Sequence, residues 1–279
     1  MDYRLFIAVR YLARKSREPF VHFSILTSIL GIAIGDGPLF IVLGLESGFS
    51  SSLKEKIAGS FASITISQRG PMTNYETVIE RTKNCLGKEI VGISPFIETQ
   101  ALFQSGNGIS GGIVKGIDRE REIAVTNVKN WFKKKEFDLS ENKIILGKEL
   151  ARGLGIKKGE KLRLISGLSG KGSDFIVSGF FESGLYATDS AYSFINLNKA
   201  QEEFTLPGMV TGIGVKTRNL LKSERSAQSL AHSLGKNYIV RSWLRENKIL
   251  FAAIALEKRA MSIILALISL VAAFNIASS

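Results

Sequence analysis

Two stretches of the chain are almost free of charge, and the residues between them alternate between apolar and polar. From Pro19 to Leu45 the only acidic or basic side chain apart from His22 is Asp36, and after Arg259 there is none up to Ser279. A helix needs roughly 20 apolar residues to cross about 30 Å of hydrocarbon, and each gap supplies that length. Neither carries the polar stripe of a helix on a soluble core. The pattern predicts membrane spans at 20–45 and 260–279. The first is longer than the h-region of a cleaved signal peptide, about 7–15 residues, so a retained anchor is expected.

Ahead of that anchor, residues 1–19 place Leu5, Ile7, Ala8, Tyr11 and Leu12 near one side of a helix, with the arginines largely on the other. A basic amphipathic helix beside a span lies in the interface plane, so an elbow on the anionic leaflet is predicted. Beyond the anchor, GFSSSLKEKIAGS continues the helix to a glycine stop, and SITIS opens the strands. The runs IVGISPFIETQALFQS, GGIVKGID, KLRLIS and FIVSGFF then intersperse with YETVIERTKNCLG, LGKELARGLG, NLNKAQEEF and LKSERSAQSLAHSLG. Strands and helices without a regular βαβ repeat predict an α+β domain over 46–242, with room for two lobes.

From Trp243 no glycine or proline interrupts the chain, so a stalk helix over 243–259 is expected to run into the second span. The sequence stops inside an apolar run without the interfacial anchors that flank spans, which reads as a shortened chain.

Charge orients these pieces. Five cations, Arg4, Arg10, Arg14, Lys15 and Arg17, precede the first span against Asp2 and Glu18. Positive flanks stay inside, so the N-terminus is expected in the cytoplasm and the domain on the far side of the membrane. The whole chain is +12, and its external surface is therefore basic, open to anionic headgroups or an acidic partner or simply solvated. Its compartment excludes nucleic acid. One cysteine, Cys85, allows no internal disulfide.

Within the first span Gly31 and Gly35 form a small-xxx-small pair that lets another helix approach closely. Asp36 is costly in hydrocarbon and has two readings, a gating carboxylate or one neutralised at a helix interface. Enzyme chemistry finds no footing. GLSGKGSD at 167–174 departs from a phosphate-binding loop, with Ile165 where the first glycine belongs and Gly172 after Lys171. Two histidines, His22 and His232, support neither a metal set nor a nucleophile triad, so no metal or cofactor is expected. The interleaved charges of Asp118, Arg119, Glu120, Arg121 and Glu122 read as a solvated loop, as do Lys133, Lys134 and Lys135 beside Trp131 and Phe132.

Several separate stretches resemble the Lol-type lipoprotein-releasing permeases, LolC and LolE, within the permeases that join a MacB-like periplasmic core to an FtsX-like membrane domain. They are LFIAVRYLARK, SILGIAIG with IVLGLESGF, IILGKELARGLGIKKGEKL, FFESGLYATDSAYSFINLNKAQEEF and LEKRAMSIILALISLVAAFNI. Their order and spacing make the resemblance specific. It implies a four-helix subunit, of which this chain carries two helices, with a cytoplasmic ABC ATPase and a second permease subunit, identical or homologous. The implied activity passes acylated lipoprotein cargo from the inner membrane to a periplasmic carrier.

The resemblance also implies sites. Ile41, Leu45 and Phe49 would face Ile264, Leu267 and Ile268 across a lipid or cargo cavity, unless they simply face lipid or other helices. A carrier-binding hook would fall on the hairpin of Ser166, Gly167, Leu168, Lys171 and Asp174. The chain departs from the family at Asp36-Gly37-Pro38 and Glu46, where small or apolar residues are usual. Alternatives from the same sequence are a MacB-like exporter of small molecules or peptides, and a membrane-anchored scaffold without transport.

Overall fold

The computed structural model describes residues 61–278 apart from 107, 133–136, 141, 168, 169 and 171, with Tyr3, Phe23, Ile41, Gly44, Leu45 and Gly48 before them. The chain divides into two units, Lys54–Lys248 and Met1–Leu53 with Ile249–Ser279.

The first unit runs β1 (Ile64–Met72), α1 (Tyr75–Leu86), β2 (Ile90–Ser105), β3 (Gly108–Ile117), α2 (Arg119–Val125), β4 (Lys143–Gly147), α3 (Lys148–Leu154), β5 (Lys161–Ser166) and β6 (Gly172–Phe181). It continues through α4 (Tyr186–Ala191), β7 (Tyr192–Asn196), α5 (Leu197–Glu203), β8 (Val210–Thr217), α6 (Ser223–Leu234) and β9 (Tyr238–Ser242) to α7 (Trp243–Glu246). The mixed α+β class read from the alternating runs is the class observed.

Strand β2 belongs to two sheets because it is long enough to serve both. Its first half, Ile90–Phe96, pairs with β8 and extends through β1 to β9, giving the antiparallel order β2-β8-β1-β9. Helices α1 and α6 pack together on one face. That βαββαβ arrangement is ferredoxin-like, and everything from β3 to α5 is inserted between its second and third strands. The second half of β2, Phe96–Ser105, pairs with β3. The pairings β3–β7, β7–β4, β4–β6, β6–β5 and β5–β2 then close a six-strand ring. Closure removes the free edges that an inserted sheet would otherwise present.

Alternation fills the ring. Ile144 and Leu146 of β4 join Phe103, Leu162, Leu164, Phe175 and Val177 in the larger core, while Ile145 between them joins a second cluster with Ile117, Phe181 and Phe194. Trp131, Phe132 and Phe137 cover that second cluster, with the Trp131 and Phe181 rings 5.7 Å apart. Each fully buried Ile, Leu or Phe contributes roughly 1.5–3 kcal/mol. Gly116 lets α5 approach β3, since a Cβ there would collide with the Cβ of Ala200. Gly155, at φ +64°, ends α3 in the left-handed conformation that favours glycine.

The second unit is described mainly through α8 (Lys248–Ser278). The helix expected to run unbroken from Trp243 is in two pieces: α7 ends at Glu246, and Asn247, at φ −106° and ψ 23°, leaves the helical conformation with its side-chain amide donating to the Trp243 carbonyl at 2.9 Å. Among the described residues no helix is long and apolar enough to cross a membrane. The expected elbow and the expected span 20–45 lie almost wholly outside those residues, and so do the side chains of 272, 273 and 275–279.

Candidate functional site

The β5–β6 hairpin and the strands beside it border an apolar groove on the ring. Ser166 is buried, and its carbonyl accepts the Gly170 N–H at 2.9 Å, which closes the turn. Asp174 stands opposite Arg163 in the β5–β6 register. Leu168 and Lys171 lie outside the described residues. Next to Gly167 is a groove of about 410 Å³ lined by Gln100, Ala101, Leu102, Gly111, Gly112 and Ile113. The alternation that buries Phe103 turns Leu102 outward, 47% exposed, opposite Gly111 and Ile165. Ile109, 68% exposed, continues the apolar face towards the β2–β3 tip. A surface of this kind has room for an apolar segment, and its described lining holds no nucleophile and no acid–base pair.

The charged run at 118–122 is a correction. Instead of a solvated loop it forms α2, capped by Asp118, whose carboxylate accepts the Glu120 and Arg121 N–H groups at 3.0 and 3.2 Å. Glu122 is buried and takes a 2.8 Å bond from Lys115, whose ammonium also lies 4.9 Å from the Phe96 ring centre. Glu98 is directly opposite Lys115. Open at the surface yet crowded by protein on its other sides, its carboxyl is held above the usual range by desolvation, which Lys115 opposes and Glu122 reinforces. Tyr192 is pushed up to about 12, mainly by burial and then by Glu98. Spacing could not show which of three nearby carboxylates turns inward; the register of β3 decides it.

The expected cavity residues are placed only individually. Ile41 and Leu45 are helical and 73% and 75% exposed. On α8, Ile264 and Leu267 are exposed and Ile268 is partly covered. Gly31, Gly35, Asp36 and Phe49 lie outside the described residues, as do Lys133, Lys134 and Lys135. Among the described residues no group of three His, Cys, Asp or Glu is arranged to hold a metal.

The profile of the family described as "MacB-like periplasmic core domain" matches residues 25–234. The lipoprotein-releasing system transmembrane protein LolC of Xylella fastidiosa is 32% identical over 98% of this chain and 68% of its own length. The chain belongs to the LolC/LolE family. Another LolC/LolE relative, the LolE protein of Haemophilus influenzae, is 25% identical over 100% of this chain and 70% of its own. Among solved structures, the periplasmic region of MacB from Actinobacillus actinomycetemcomitans aligns with a TM-score of 0.45 at 11% identity, over 71% of this chain and 96% of that one. For this LolC/LolE-family chain, Leu102 and Ile109 are the exposed apolar residues of the candidate groove face that sequence reasoning missed. The period-two pattern of ETQALFQS and GISGGI carried the signal.

Proposed function

We propose that the chain is a permease subunit of an ATP-driven complex that extracts lipoproteins from the bacterial inner membrane and passes them to a periplasmic carrier. The relationship to LolC proteins across 98% of the chain supports this reading. Residues 20–45 and 260–279 cross the membrane, and 46–242 fold on the periplasmic side. Ile41, Leu45 and Phe49 face Ile264, Leu267 and Ile268 around the acyl chains, and Gly31 and Gly35 seat a neighbouring helix. The hairpin of Ser166, Gly167, Leu168, Lys171 and Asp174, with the apolar groove beside it, meets the carrier. Acyl burial is worth about 0.8 kcal/mol per methylene, so a lipid-anchored protein does not leave the bilayer unaided. The partner ATPase supplies that work, and a second permease subunit completes the cavity.

Cys85 is exposed and is the chain's one cysteine, which makes the arrangement directly testable. In intact spheroplasts a membrane-impermeant maleimide labels Cys85, and depletion of the chain leaves lipoproteins in the inner membrane. Protection of Cys85 until the cells are lysed, or unchanged lipoprotein sorting on depletion, contradicts the reading.

A further inference from the structure

A second cleft, of about 370 Å³, lies at the other side of the domain and is lined by Leu86, Lys88, Glu89, Thr217, Arg218, Asn219 and Lys222. We propose that this cleft binds a phosphate group, with Lys88, Arg218 and Lys222 as its ligands. Three cations face one carboxylate, and Glu89 is already engaged, accepting the Ser226 hydroxyl at 2.8 Å. Arg218 is held in place: its Nε donates to the Lys88 carbonyl at 2.9 Å and its backbone N–H to the Glu89 carbonyl at 2.9 Å. A guanidinium fixed in this way is preorganised for a planar, charge-assisted grip on phosphate oxygens.

Lys222 is also the N-cap residue of the 12-residue helix α6, whose start has no side-chain cap. The first N–H groups of a helix carry partial positive charge and favour an anion. Next in sequence, the Ser223 hydroxyl is buried without a hydrogen-bond partner among the described atoms.

The cleft's place in the fold points to a source for the phosphate. The Thr217 N–H donates to Ser63 Oγ at 3.2 Å and the Trp243 N–H to the Ser63 carbonyl at 3.0 Å, while Ile64 pairs with Val215 and Ser242 and Ile90 with Thr217. Thr217 and Ile90 therefore share one end of the sheet with the points where the chain enters and leaves it. An anionic lipid headgroup and a free phosphate ion present the same oxygens to these cations. The lipid source rests on the membrane reading above; the phosphate site does not.

Cys85 adjoins Leu86 and reports on the cleft. The full chain is labelled there with an environment-sensitive dye, solubilised in detergent, and titrated with inorganic phosphate at constant ionic strength. A saturable change is expected, weakened about tenfold by Lys222→Gln or Lys88→Gln and untouched by the remote Lys157→Gln. In nanodiscs, phosphatidylglycerol but not phosphatidylcholine should reproduce the change if the source is lipid. A phosphate response without a phosphatidylglycerol response assigns the site to free phosphate and overturns the lipid source alone. No saturable response to either, or equal loss with Lys157→Gln, overturns the site.

Discussion

Lys115 Nζ lies 2.8 Å from Glu122 Oε1, with the lysine side chain 17% exposed and the glutamate 2%. The pair joins β3 of the closed ring to α2, which packs on β2 near the point where that strand passes into the four-stranded sheet. Removing one member of a buried pair strands the other charge and costs about 3–5 kcal/mol, whereas replacing both with apolar groups is near neutral. Lys115→Met should therefore lower the unfolding free energy by roughly that amount, and adding Glu122→Leu should recover most of it. Urea unfolding followed by tryptophan fluorescence checks both.

The register that sets this pair was only partly legible in the sequence. IVGISPFIETQALFQS reads as a strand from its β-branched and aromatic content, and it is one. Nothing local says that its two halves serve different sheets, because that depends on β8 for one half and β3 and β5 for the other. Helices α1, α3 and α6 were readable from their glycine stops, Gly87, Gly155 and Gly235, and α5 from its Asn196 cap. The parallel β3–β7 contact, between residues some 80 apart in sequence, was not. Leu102 and Phe103 are apolar neighbours, and the alternation of ETQALFQS puts Phe103 with Ala101 in the core and Leu102 with Gln100 and Gln104 outside.

Two carboxylates give opposite pH signatures. Asp138 sits low, at about 2, because Lys143 and then the Ser140 N–H hold its ionised form. Its contribution to stability is complete above the ordinary carboxylate value and is lost as pH falls towards 2. Glu98 sits high, so its ionisation opposes folding, and stability falls as pH rises from its ordinary value of 4.5 through the raised one. Melting temperatures between about pH 3 and pH 7 should show a shallower acid loss in Asp138→Asn. Glu98→Gln should be stabilised on the neutral side of the profile.

Gly116 has no room for a side chain against Ala200. Gly116→Val should cost about 1–3 kcal/mol through overpacking, and Ala200→Gly in the same chain should return part of it. Thermal unfolding of the single and double variants measures the coupling.

Thr205 holds φ at +56°, in the left-handed region just after α5. A β-branched residue is strained there, while asparagine tolerates the conformation. Thr205→Asn should raise stability by about 1 kcal/mol, read as an upward shift of the thermal midpoint.

Acyl-dependent capture of cargo tests the assignment most directly. The full chain, purified from membranes together with the ATPase and second permease subunit proposed for it, should retain a triacylated lipoprotein. It should fail to retain the same polypeptide when its acylated cysteine is replaced by alanine. Equal retention of the two forms, or of neither, contradicts a role in lipoprotein release.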